Sequence, residues 1–161
     1  MADQFVGHAL ASAGLVTSVD TVQRNMLGAR IQASNGNEYV YLAGVASCAE
    51  GDFVSYNATT YVAVRLIANA VGMVAIAPAA ILAANWGWFL IKGFYATARA
   101  QSAGSIAAAG GVFATSAAAG TVDDSSLAAN FVNGVVSTAA DTAGIVPVQI
   151  SYPYVTHTVP A

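Results

Sequence analysis

The chain has 161 residues, 57% of them hydrophobic and only 8% charged, with a formal net charge of −3. An ordinary soluble domain carries about 25% charged residues, so a membrane protein, a bland secreted domain and a subunit covered by its neighbours compete to explain this surface. The length suits one domain with a core, and five scattered cations, Arg24, Arg30, Arg65, Lys92 and Arg99, form no stripe for neutralising phosphates, so no nucleic acid partner is expected.

Residues 1–27 open with Met1-Ala2-Asp3-Gln4, where no basic region precedes an apolar run, and no secretory leader is expected. The segment has no hairpin partner, yet Phe5, Val6, Leu10, Leu15 and Val16 are too apolar for a tail left in water. It is expected to be an extended N-terminal arm that gains order by docking elsewhere. From Gly28 the pattern predicts a hairpin of Ala29–Ala33 and Glu38–Leu42, with Asn35-Gly36 in a type I′ turn whose two central residues need positive φ. The lone Cys48 excludes an internal disulfide framework and reads as a small buried residue. Glu50 and Asp52 flank Gly51 and read as solvating charges in a surface turn rather than an acid/base pair.

A second strand pair is predicted for Phe53–Tyr56 and Thr60–Arg65, joined by a turn at Asn57-Ala58-Thr59. Leu66–Ala84 is long enough to span a bilayer, but Asn69, Gly72, Pro78 and abundant Ala make its insertion signal weak, so no membrane partner is expected. Four runs that open with Gly, at Gly72–Ile76, Gly87–Ile91, Gly111–Thr115 and Gly134–Thr138, read as successive strands because their spacing is irregular. Ala79–Ala84 and Leu127–Asn130 each have room for a helical turn. Trp86, Trp88 and Leu90 fall on one face of their strand and Gly87, Phe89 and Ile91 on the other, which suits a strand central in a sandwich or set between core and neighbour. The Trp pair reads as core or interface, with stacking on sugars as the less favoured reading. Asp123-Asp124 sit in an expected turn without the alternating oxygen ligands of a calcium loop. Pro147 gives Ile145–Tyr152 an edge or barrel-closing character, and Pro153–Ala161 reads as an extended tail.

The predicted fold is therefore all-β, an antiparallel barrel or sandwich of about seven or eight strands with an extended N-terminal arm. Its expected divisions are an arm at 1–27, a barrel or sandwich domain at 28–152 and a tail at 153–161. No catalytic, cofactor-binding or metal-binding residues are expected. The histidines, His8 and His157, lie in the two presumed tails, and no nucleophile elbow, phosphate-cradling loop or dinucleotide fingerprint occurs. A structural subunit rather than an enzyme follows, with Phe5, Val6, Leu10, Leu15, Val16, Trp86 and Trp88 as candidate interface residues.

Several segments, in order, carry a family likeness: Leu27-Gly28-Ala29-Arg30-Ile31-Gln32, Asn35-Gly36-Asn37-Glu38-Tyr39-Val40-Tyr41, Trp86-Gly87-Trp88, Gly93, and Ala119-Gly120-Thr121-Val122-Asp123-Asp124. Over roughly residues 27–152 the chain resembles the small decoration, or cement, proteins of tailed-bacteriophage capsids. The resemblance implies a virion protein, made in the host cytoplasm, that binds the outside of the expanded head. Its implied partners are the major capsid protein, whose neighbouring subunits it clamps, and itself, commonly as a homotrimer near three-fold positions. A tail or head-fibre component, or a glycan-binding module using the aromatic strand, is the alternative.

Overall fold

The computed structural model describes residues 15–101, 106–124 and 130–156. Eleven strands form one antiparallel sheet, with no α-helix among the described residues. They are β1 (Val19–Asp20), β2 (Arg30–Gln32), β3 (Glu38–Ala43), β4 (Phe53–Tyr56), β5 (Ala63–Arg65), β6 (Gly72–Ile76), β7 (Trp86–Arg99), β8 (Gly111–Ala114), β9 (Val122–Asp123), β10 (Phe131–Ser137) and β11 (Ile145–Val155). The main path runs β2-β3-β7-β6-β11-β10-β8-β9, with β1 on β7 and β5 on β4. The all-β antiparallel expectation holds, but the strands outnumber the seven or eight expected and the sheet does not close into a barrel. A single parallel bridge, Ala100 to Val122, brings β9 back toward the end of β7.

The β2–β3 hairpin forms in the expected place, with Gln32 opposite Glu38 and Arg30 opposite Val40. Its turn is not type I′. Gly36 N–H donates to Ala33 O at 3.0 Å, Ala33 N–H to Asn37 O at 2.8 Å, and Gly36 at φ +83 is the turn's one residue of positive φ. This is a type I turn closed by a glycine bulge, and Asn35 Oδ1 accepts from Asn37 N–H at 3.0 Å instead of taking a left-handed backbone. The β4–β5 hairpin also forms, with Tyr56 opposite Ala63. Asn57 Oδ1 accepts from the N–H groups of Thr59 and Thr60 and holds its loop.

Two expectations about Gly and Pro are corrected. Gly134 does not open a strand; it lies inside β10 at a register shift between Asn133 and Val135. A side chain there would stand 2.6 Å from Ser151 O, so the bulge leaves no room for one. β11 is no edge strand, since β10 covers one side and β7 and β6 the other. Pro147 is tolerated because it lies where the register with β7 already shifts, between Val146 and Val148. Its carbonyl accepts from Thr138 N–H at 2.8 Å. The strand runs on to Val155, so Pro153–Val155 belong to the sheet rather than to a tail. Residues 79–84 contain no helical turn, and most of Leu127–Asn130 lies outside the described residues.

β7 is the spine. Its first half is flanked by β3 and, on the opposite edge, by β1 and β6; its second half pairs with β11 from Lys92 to Arg99. As the alternation predicts, Trp88 and Leu90 join one core while Phe89 and Ile91 join another. The first core gathers Tyr41, Phe53, Ile76 and Trp88 with Val112, Val132, Val148 and Ile150 from the other half of the sheet. The second packs Val40, Leu42, Val54, Phe89 and Ile91 under Val45, Cys48, Ala77 and Ile81, which come from loops. Each fully buried aliphatic or aromatic side chain contributes about 1.5–3 kcal/mol, so these two cores carry the fold.

Candidate assembly surface

The loop residues Val45, Cys48, Ala77 and Ile81 cover the sheet face over Val40, Leu42, Val54, Phe89 and Ile91. On β8, β10, β11 and the second half of β7, burial alternates with the pleat: Val112, Val132, Val135, Val146, Val148 and Ile150 point into the core, and their neighbours point out. The outward row across three strands is Phe94 opposite Gln149 and Gln149 opposite Val136. Phe94 is 48% exposed and Val136 47%, too much for residues that serve the core. Next to Val136 lie Phe113 and Phe131, half-buried, whose rings meet edge to face over Gly111 with centroids 5.2 Å apart, and Tyr154, also exposed, lies further along β11 opposite Asn133. Neither β8, β10 and β11 nor residues 93–98 of β7 contain a single Asp, Glu, Lys or Arg. This is an exposed, aromatic face with few charges, the kind of patch that marks contact with another protein.

Asp123 on β9 stands opposite Phe113 at one side of that face, and further charges gather at its two ends. At one end Lys92 Nζ donates to Glu38 Oε1 at 2.8 Å, and Tyr152 hydroxyl donates to Glu38 Oε2. Arg30 and Lys92 both lie against the Tyr152 ring, 5.9 and 5.6 Å from its centroid. The hydrogen bonds from Lys92 and Tyr152 hold the Glu38 carboxyl below its ordinary value, and the bond to Glu38 raises both Lys92 and Tyr152. Tyr152 has φ +46, uncommon for a bulky residue, at the point where β11 passes from β7 to β6. Beside it, Asn37 continues the β3 ladder with its side chain: Nδ2 donates to Phe94 O at 3.2 Å and Oδ1 accepts from Phe94 N–H at 3.3 Å. Gly93, at φ +124, makes this possible, because a Cβ there would overlap Asn37 Oδ1.

At the other end Asp52 corrects the surface-turn reading. It is 0% exposed, and its Oδ1 accepts from Arg99 Nη1 at 2.9 Å while Oδ2 accepts from Arg65 Nε at 2.8 Å and Ala49 N–H at 2.9 Å. A Cβ on Gly120 would stand 2.6 Å from Asp52 Cγ, so that glycine is shaped by the ion pairs it covers. Glu50 stays exposed and lines an open hollow of about 490 Å³ with Thr97, Arg99 and Ile145. Among the described residues no three His, Cys, Asp or Glu side chains converge as metal ligands, and no helix is long and apolar enough to cross a membrane.

The expected interface residues separate. Trp88 is 2% exposed, its ring 5.0 Å from that of Tyr41, so it is core and offers no face to a glycan or a neighbour. Trp86 is half-buried against the same core, as is Val16. Leu15 is exposed, and Phe5, Val6 and Leu10 lie outside the described residues. The stretch after Leu15 is tied to the sheet: β1 pairs with β7, and Asp20 Oδ2 accepts from Tyr41 hydroxyl at 2.6 Å. The Phe94 face has a signal in the sequence of its own, the alternation of Val148 and Ile150 with uncharged Gln149 and Ser151.

The same fold occurs in a phage capsid. A chain of "The capsid of Myoviridae Phage XM1" is similar to this one with a TM-score of 0.51 and 18% sequence identity, over 81% of this chain and 94% of that one. At that identity the likeness is one of fold. No family model matches the chain, and no curated protein matches it.

Proposed function

We propose that the chain is a structural virion protein that binds the outer surface of a phage capsid and stabilises it by clamping neighbouring major capsid subunits. The observation that carries this reading is the exposed aromatic face around Phe94, on a chain whose fold recurs in a phage capsid. An exposed apolar face of this kind favours contact with another protein, and among the described residues no cluster of His, Cys, Asp and Glu offers a metal site. Clamping needs area and shape alone: an interface of standard size buries about 1,600 Å², and repetition around a closed shell multiplies a modest free energy.

In this reading copies gather as homotrimers near three-fold positions, and the N-terminal segment with Phe5, Val6, Leu10 and the exposed Leu15 reaches toward the capsid. The test is to strip particles of the protein, add it back at increasing concentration and follow both occupancy and heat-induced release of the genome. Saturable binding that raises the release temperature supports the proposal. Binding to tails alone, or no binding, refutes it.

A further inference from the structure

We propose that Asn35 is a site of slow self-modification, where the chain's own backbone converts the side-chain amide to a carboxylate in the folded protein. Of the eight asparagines, only Asn35 and Asn133 precede a glycine. That neighbour matters because the peptide nitrogen after an asparagine attacks the side-chain Cγ most readily where the next residue has no side chain to block the approach.

The structure separates the two pairs. Asn35 and Gly36 are both exposed at the tip of the β2–β3 hairpin, and a Cβ on Gly36 would meet nothing within 4 Å, so a ring has room to close there. Asn35 Oδ1 accepts from Asn37 N–H at 3.0 Å, which folds the carboxamide back over the Gly36 peptide and brings Cγ toward the nitrogen that attacks it. The same N–H is in place to hold the negative charge that grows on Oδ1 as the bond forms. One hydrogen bond opposes the step, since Gly36 N–H donates to Ala33 O at 3.0 Å and must be released. It is the outermost of the hairpin, and Ala33 N–H to Asn37 O at 2.8 Å closes the ladder beneath it. Asn133 has the opposite setting. It lies inside β10, paired with Tyr154 of β11, and its Nδ2 donates to Tyr154 O at 3.5 Å. Gly134 is hemmed in as well: a Cβ there would stand 2.6 Å from Ser151 O and 3.3 Å from Pro153 Cα.

The reaction balances with water as the sole co-reactant. The Gly36 nitrogen gives its proton to solvent and bonds to Asn35 Cγ, the Cγ–Nδ2 bond breaks, and ammonia leaves with a proton taken from solvent. Water then opens the five-membered imide at either carbonyl. Attack at Cγ gives aspartate; attack at the backbone carbonyl gives isoaspartate, whose main chain runs through Cβ and Cγ. Isoaspartate lengthens the turn and sets a carboxylate beside Asn37, the residue that holds Phe94 N–H and O. The link between the hairpin and β7 at the edge of the Phe94 face therefore loosens as the protein ages.

The test follows the full chain by peptide mass spectrometry in water enriched in heavy oxygen, folded at neutral pH and, in parallel, unfolded in guanidinium chloride. Unfolded, the two Asn-Gly pairs react at similar rates. Folded, Asn35 takes up heavy oxygen at least tenfold faster than Asn133. Amide hydrogen exchange at Phe94 rises in the aged chain but not in Asn35→Ser aged beside it, whose hydroxyl still accepts in the turn yet has no amide to lose. An Asn35 that stays intact in the folded chain, or that reacts no faster than Asn133, overturns the proposal. Phe94 exchange that is the same in the aged chain and in Asn35→Ser overturns it too.

Discussion

Asp52→Asn tests the account of the fold at its most buried charge. The substitution keeps size and shape but removes the negative charge that accepts from Arg65 Nε, Arg99 Nη1 and Ala49 N–H. One side-chain oxygen becomes an NH₂ group that points at a donor, and two guanidinium groups lose their counter-ion. Breaking a buried ion pair from one side costs about 3–5 kcal/mol. Arg65 and Arg99 keep side-chain exposures of 22% and 40%, so water relieves part of the loss, and about 3 kcal/mol is expected. For a chain of this size that is a fall in Tm of roughly 6–12 °C. The assay is urea and thermal unfolding of the variant beside Glu50→Gln, whose neighbouring carboxylate is exposed and whose loss shifts stability by no more than about 0.5 kcal/mol. Equal, negligible effects of the two variants would refute the claim that Asp52 holds this end of the sheet together.

Gly93→Ala is expected to cost about 2–4 kcal/mol in chemical denaturation, because it strains the backbone and drives Asn37 off the β7 edge. Cys48 is buried, and that burial pushes its thiol up to about 11, so a thiol reagent at about pH 8 is expected to label it only on unfolding. Glu38 sits below its ordinary value in the folded chain, so its contribution is present above the unfolded carboxylate value and lost as pH falls through the folded one. Glu38→Gln is therefore expected to flatten the acid limb of the stability curve, followed by melting between about pH 5 and pH 2. Removing residues 2–24 is expected to lower Tm more than removing residues 2–14, because only the longer deletion takes away β1 and the Asp20–Tyr41 hydrogen bond.

Local signals in the sequence located most strands. The Asn-Gly hairpin, the Phe53–Tyr56 pair, the Gly72–Ile76 strand and the two-faced character of Trp86–Ile91 all stand in the structure. Failures came where a distant partner set the outcome. Pro147 reads as an edge signal in isolation, because the register shift on β7 that accommodates its missing N–H is set by a distant strand. Asp52 looked like a solvating charge because Arg65 and Arg99, 13 and 47 residues away, complete its burial. Asn35-Gly36 points to a type I′ turn, but Asn35 closes the turn with its side chain instead of a positive φ. The candidate face was hidden for a similar reason: Phe94, Gln149 and Val136 lie on three strands, and only their pairing makes them one row.

The central claim is tested most directly by imaging native particles with this protein present and absent and subtracting the two maps. The account places the difference density on the outside of the shell, at or near three-fold positions, with each copy bridging neighbouring major capsid subunits. Density inside the shell, at the tail, or nowhere on the particle would contradict it.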